Sequence, residues 1–273
     1  MLKSRIITAL IMLVLLLAAL FGLPASAWVA LVILMALQAS LEWARLSKLT
    51  GRAATVYWVA TLFIMLSLVW VDASTTAPQQ LIHLFVYLIA AFLWIIVVPT
   101  WMIVGWKVES PLLMSLTGWA VIIPTSLAML DLRLVSPWLL LFIMCLVWVA
   151  DSAAYFAGRK FGKNKLAPSI SPGKTWEGVA GAMLGVTAYI VLVWSMSPSL
   201  SQYAMLPILL LAAWWWVGLA VIGDLFESAI KRQACVKDSG ALLPGHGGLL
   251  DRIDALTSTL PLAALVITMQ QLS

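Results

Sequence analysis

The sequence predicts an all-α protein that crosses a membrane many times, and three observations carry that expectation. Of 273 residues, 63% are hydrophobic and 10% charged, whereas a soluble domain carries about 25% charged residues. Apolar runs long enough to cross a bilayer core as a helix, about 20 residues, recur along the chain. They are continuous rather than alternating, which excludes a transmembrane β-barrel.

Nine spans follow from these runs: 6–23, 27–41, 54–71, 81–103, 111–130, 137–157, 177–196, 204–222 and 255–271. They form one integral membrane domain over 1–273, with polar loops at 151–178 and 223–254. Lys3 and Arg5 precede the first span and Ala25-Ser26-Ala27 follows it, a layout shared with cleavable signals. Its 18 residues exceed the usual apolar segment of about 7–15, so an uncleaved span is expected. The second span is the shortest and admits a re-entrant or interfacial reading. Pro99, Pro124 and Pro261 interrupt apolar runs and are expected to kink them. Trp214, Trp215 and Trp216 lie mid-span and are read as packing or lipid contacts. His83 is read as an interfacial residue without a role. Cys145 and Cys235 lack metal-ligand spacing and are read as passive.

Numbering the loops alternately inside and outside tests the count. Every Lys and Arg except Arg133 falls on one side. Basic residues in short loops favour the cytoplasm, which places the N-terminus inside, the C-terminus outside and the polar loops at the cytoplasmic surface. The net charge of +5 is scattered over those loops, so it reads as orientation rather than as a nucleic-acid surface.

One stretch, 228–254, is a polar island among these spans. It holds Lys231, Arg232, Lys237, Arg252, Asp238, Asp251 and Asp254 around a glycine-rich turn at Pro244-Gly245-His246-Gly247-Gly248. Should the eighth helix continue past Ile222, Asp224, Glu227, Ser228 and Lys231 share one face at i, i+3, i+4 and i+7. Asp251 and Asp254 lead into the last span. Two carboxylates about 4 Å apart repel by roughly 4 kcal/mol at an effective dielectric near 20, and a divalent cation between them removes that repulsion. Magnesium takes oxygen ligands and keeps substrate phosphates in its shell, and the basic residues suit phosphate oxygens. Glycines beside His246 let backbone approach an anion closely. His246 itself is open to three readings: phosphate donor, proton acceptor or turn residue. The first is preferred, because an ionised phosphate needs no base to act as a nucleophile.

A second polar patch covers 151–178. Asp151 and Tyr155 are one turn apart at the inner end of the sixth span, where an ionisable residue is a functional candidate. Ser171-Pro172 reads as a helix start, with Ser as N-cap and Pro at the first position. Gly173-Lys174-Thr175 is not a P-loop, because Pro168 stands where that motif needs glycine.

At these residues the chain resembles the phosphatidate cytidylyltransferase (CDP-diacylglycerol synthase) family. Ser228, Lys231, Arg232, Lys237, Asp238, Gly240, Pro244, His246, Gly247, Gly248, Asp251, Arg252 and Asp254 fill its signature without a gap. Asp151-Ser152, Ala154-Tyr155, Leu166-Ala167-Pro168 and residues 171–178 are similar to its second motif. The resemblance implies transfer of a cytidylyl group from CTP to phosphatidate at a bacterial inner membrane, with magnesium as cofactor, potassium as a candidate second ion, and a homodimer. It implies a catalytic set of Asp224, Asp251, Lys237, Asp238 and His246, with Asp224 and Asp251 on the metal. Ser171, Lys174, Thr175, Ser228, Lys231, Arg232, Arg252, Asp254 and Asp151 then bind substrates at the cytoplasmic surface. The alternative from another class is an ion-coupled transporter using Asp151 and Asp224. It ranks behind, because the acids sit at span ends and the halves do not repeat. A CDP-alcohol phosphatidyltransferase would need a D-G-x2-A-R motif that is absent.

Overall fold

In hydrocarbon every backbone polar group must be satisfied within the protein, so long apolar runs fold as helices. The computed structural model describes residues 2–74, 78–198, 202, 204–242 and 247–272. Its helices are α1 (Leu2–Gly22), α2 (Ala25–Leu46), α3 (Gly51–Ser74), α4 (Pro78–Phe92), α5 (Val98–Val104), α6 (Pro111–Val135), α7 (Pro137–Phe161), α8 (Trp176–Met196), α9 (Leu206–Gln233) and α10 (Leu250–Leu272). A π-helical turn, Leu93–Val97, joins α4 to α5, so the two make one crossing. Among the described residues, eight helices are long and apolar enough to span a membrane, and Leu10–Gly22 is a shorter apolar one. The protein is a multi-pass membrane protein.

Several helices outrun the apolar segments that announce them. The second, far from being a short re-entrant piece, extends to Leu46, and the eighth run continues through its charged end to Gln233. That extension keeps Asp224, Glu227, Ser228 and Lys231 on one helix.

The prolines are absorbed in two ways. Pro99 follows the π turn and occupies the first turn of α5, where its missing N–H is tolerated. Pro124 and Pro261 lie inside α6 and α10. Pro261 leaves the Thr257 carbonyl without its usual partner four residues on. Thr125 Oγ1, which also bonds Val121 O at 2.7 Å, reaches that carbonyl at 3.3 Å from the neighbouring helix. One hydroxyl thus ties together the two most buried helices, each with 61% of its apolar window inside.

Two packing devices fix the helices that matter for function. Phe226 of α9, 1% exposed, meets Trp43, Trp94 and Trp101 with ring centroids 6.5, 5.5 and 5.4 Å away. This aromatic contact holds α9 against α2 and the π-helical crossing. The α7–α8 pair instead packs through small residues. A Cβ at Gly185 would stand 2.6 Å from that of Ala153, and one at Gly181 would overlap Ala157.

Between α7 and α8 lies the only sheet among the described residues, an antiparallel hairpin of β1 (Lys165–Ala167) and β2 (Ser171–Thr175). The expected helix start at Ser171 is therefore corrected. Ser171 pairs with Ala167, Lys165 pairs with Thr175, and Thr175 is the N-cap of α8, its Oγ1 accepting from Gly178 N at 3.1 Å. Pro172 sits in a two-stranded ribbon, where a missing donor is tolerated.

His83, near the start of α4, is packed against its neighbours and only 5% exposed. Its Nδ1 is 2.8 Å from Asp131 Oδ2, and Tyr87 Oη donates to the same oxygen at 2.6 Å. Arg133 covers Leu20 O and Leu23 O just past the end of α1.

The Thr125 tie can be tested by Thr125→Val, which keeps the shape and deletes the hydroxyl. An unsatisfied buried carbonyl costs about 1–3 kcal/mol, so the thermal midpoint of the purified protein should fall by several degrees. Thr125→Ser should leave it nearly unchanged.

Candidate active site

The site begins with a close helix crossing. Gly223 lies where α9 meets α10, and a Cβ there would stand 2.6 Å from Ser258 Oγ and 2.7 Å from Asp254 O. Ser258 Oγ donates to Leu219 O at 2.8 Å, which clasps the two helices one turn away. The crossing places Asp224 of α9 beside the first turns of α10, where Asp251 and Asp254 reside.

These three carboxylates and Asp151 of α7 line one cavity of about 550 Å³, within the ~300–1,000 Å³ typical of small-molecule sites. The hairpin supplies Ser171, Lys174 and Thr175 to its wall, and α7 adds Tyr155 and Arg159. The hairpin is anchored at its base. Asn164 Nδ2 donates to Glu177 Oε1 at 2.7 Å, and Trp176 N donates to Asn164 O at 3.0 Å. Lys174 projects from that support to Asp224, with Nζ 2.6 Å from Oδ2.

Behind the cavity is a buried charge group. Lys231 Nζ lies 2.6 Å from Asp251 Oδ1 and 3.1 Å from Glu227 Oε1, all three side chains at most 10% exposed. Ser228 Oγ donates to Asp224 Oδ1 at 3.3 Å. Asp251 Oδ2 accepts from Ser239 N and Gly248 N at 2.8 Å and from Ser239 Oγ at 3.0 Å. Every oxygen of Asp251 and Asp224 therefore faces a donor or a cation. Such an environment holds both carboxylates in a fixed orientation.

The sequence-derived set divides accordingly. Asp151, Ser171, Lys174, Thr175, Asp224, Asp251 and Asp254 meet at the cavity, with Ser228 and Lys231 bonded to its acids. Thr175 is 4% exposed and its hydroxyl is committed to capping α8. Arg232, Lys237, Asp238 and Arg252 are exposed and do not line the cavity; Arg232 donates to Val236 O at 3.1 Å. Pro244, Gly245 and His246 lie outside the described residues.

Two features escape sequence reasoning. Glu42 of α2, fully buried, accepts bonds from four donors, three of them in the loop and helix start that lead to Asp251. The described glycines of that loop also make room for neighbouring side chains. A Cβ at Gly247, whose φ is +80°, would stand 2.6 Å from Asp251 Oδ2, and one at Gly248 would overlap Glu42 and Ser239. The anions these two glycines accommodate are the protein's own carboxylates. An acid at the inner end of a span was the available signal for Glu42, and the expected end of that span at residue 41 hid it.

Four aspartates, Lys174 and Arg159 thus line one cavity where membrane helices end, and similarity to known proteins shows the class of enzyme that carries it. The model of the cytidylyltransferase family matches residues 3–270, and the chain belongs to that family. Two similar proteins, both phosphatidate cytidylyltransferases, are from Haemophilus influenzae (35% identical, 96% of either chain covered) and Pseudomonas aeruginosa (36% identical, 98% of this chain and 97% of that one). A third, from Bacillus subtilis, is 46% identical over 126 residues, covering 44% of each chain.

The α9–α10 crossing gives a direct test. Gly223→Ala pushes apart the helices that carry Asp224 and Asp254. A displacement near 1 Å in a catalytic constellation costs about 100-fold in rate. Turnover should fall by between ten- and a hundredfold with helical content retained by circular dichroism.

Proposed function

We propose that this protein transfers the cytidylyl group of CTP to phosphatidate, giving CDP-diacylglycerol and pyrophosphate, at the cytoplasmic face of a bacterial inner membrane. The observation that carries this reading is the cavity itself, where Asp224 and Asp251 arrive from neighbouring helices and Lys174 and Lys231 already hold positive charge against them. Family membership and the full-length likeness to phosphatidate cytidylyltransferases support the choice of substrates.

The reaction balances without an added base. An oxygen of the phosphatidate phosphate forms a bond to the α-phosphorus of CTP, and the bond from that phosphorus to the bridging oxygen of pyrophosphate breaks. The nucleophile is already ionised, so the protein's work is positioning and neutralising charge. Lys174, mounted on the rigid hairpin, and Arg159 on α7 face the cavity and bind phosphate oxygens. Lys231 holds Asp251 in place from behind. The apolar helices keep the diacyl tails in the bilayer while the headgroup enters between α7, α9 and the hairpin.

The donor set fits magnesium, which is bound by one or two carboxylates together with substrate phosphates and water. Asp224 and Asp251 would hold it. Among the described residues no group of three or more His, Cys, Asp or Glu side chains is placed to hold a metal ion, so substrate phosphates and water would have to complete the shell. When bound, the ion polarises phosphate oxygens and offsets the charge that develops on them. Ion-coupled transport has no support, since the acids face lysines in a cavity that the hairpin helps to wall.

Radiolabelled CTP incorporation into lipid by purified protein provides the test. Asp224→Asn and Asp251→Asn should each lower incorporation at least about 100-fold, the scale of removing one electrostatic contact to the reacting phosphates. Lys174→Met should raise the CTP concentration needed for half-maximal rate. Chelation by EDTA should stop the reaction, and added magnesium should restore it. Near-normal incorporation by both Asn variants would refute the assignment.

A further inference from the structure

Glu42 stands outside the two polar loops and outside the cavity lining, yet it is the carboxylate most completely removed from solvent near the site, with no exposed surface. A buried carboxylate is costly unless it is paired or hydrogen-bonded. Among the described residues no lysine, arginine or histidine pairs with it. Donors surround it instead. Oε1 accepts from Gln38 Nε2 at 2.9 Å and from Leu249 N at 2.8 Å, and Oε2 accepts from Ser239 Oγ at 2.8 Å and from Leu250 N at 2.9 Å. Leu249 N and Leu250 N are free donors at the start of α10, and a negative charge is favoured there by the helix dipole as well.

The same Ser239 hydroxyl lies 3.0 Å from Asp251 Oδ2, and the Ser239 amide donates to that oxygen at 2.8 Å. Ser239 therefore bridges two carboxylates. Glu42 fixes its hydroxyl, and Ser239 together with Gly248 N fixes the rotamer of Asp251. The chain is built tightly around this bridge. A Cβ at Gly240 would sit 3.0 Å from Glu42 Oε1, and one at Gly248 would overlap both Glu42 and Ser239. The bridge spans about two hundred residues of sequence and joins α2 to the catalytic end of α10.

We infer that Glu42 is a positioning residue for the cation site: through Ser239 and the first amides of α10 it fixes the Asp251 carboxylate, whose Oδ1 meets Lys231, in one orientation at the cavity wall. This rests on the reading of Asp251 as a metal ligand and extends it to a residue that touches neither metal nor substrate. Glu42→Gln is the informative change. It keeps the size, but whichever way the amide turns, an NH2 faces two donors where an oxygen accepted from both.

The experiment is Mn2+ binding to purified protein by electron paramagnetic resonance, alongside the magnesium dependence of CTP incorporation. Removing the support of a metal ligand typically costs about 10–100-fold in affinity. Glu42→Gln should weaken Mn2+ binding about tenfold or more and shift half-saturating magnesium by a similar factor, with activity largely recovered at high magnesium. Ser239→Ala, which deletes the bridge and keeps the backbone donor, should shift both in the same direction by a smaller factor. It also supplies the measurement should Glu42→Gln fail to fold. A role in folding alone would lower the melting temperature or the yield and leave both midpoints in place, and that result in either folded variant overturns the inference. Wild-type protein that binds Mn2+ no better than Asp251→Asn would instead overturn the cation reading, and the inference with it.

Discussion

The arrangement turns on one carboxyl side chain sealed inside the protein. Glu42 has no countercharge among the described residues, so its stability depends on four donors being present together. Three of them come from a loop and helix start near the far end of the chain. When that loop closes over α2 the carboxyl group leaves water, and the donors that arrive with the loop offset a desolvation cost of several kcal/mol. Loop closure and burial of the acid are therefore one event, and Asp251 is carried into place by it.

Around that constraint the bundle uses two kinds of adhesion. Close backbone approach at Gly223, Gly181 and Gly185 suits a medium in which lipid tails are as apolar as leucine, so helices gain by tight fit rather than by escape from water. The aromatic contact of Phe226 with Trp43, Trp94 and Trp101 acts at the level where polar groups begin. Trp43 adjoins Glu42 in sequence and Phe226 adjoins Glu227, so the aromatic contact lies at the same depth as the buried acids.

Much of this architecture is legible in the residues. Continuous apolar runs locate the membrane helices, because a backbone in lipid has few alternatives. The spacing of Asp224, Glu227, Ser228 and Lys231 shows a common face as soon as the helix is allowed to run past Ile222. The hairpin was misread because Ser-Pro is a local helix-start signal, and the competing facts, pairing with 165–167 and capping by Thr175, are a strand contact and a hydroxyl direction that periodicity does not carry. Arg232, Lys237 and Arg252 share the motif with Lys231, but membership in a motif does not say which way a long side chain points. Glu42 was least legible, since its partners at Ser239, Leu249 and Leu250 are 197, 207 and 208 residues away.

The charge composition of the cavity wall bears on what enters it. Four aspartates face it against the cations of Lys174 and Arg159, and the buried group behind adds one further acid, Glu227, and one lysine, Lys231. A triphosphate arriving alone would bring further negative charge into a place that already has too much. A divalent cation offsets part of that charge, so a chelated nucleotide would meet less repulsion there than a free one.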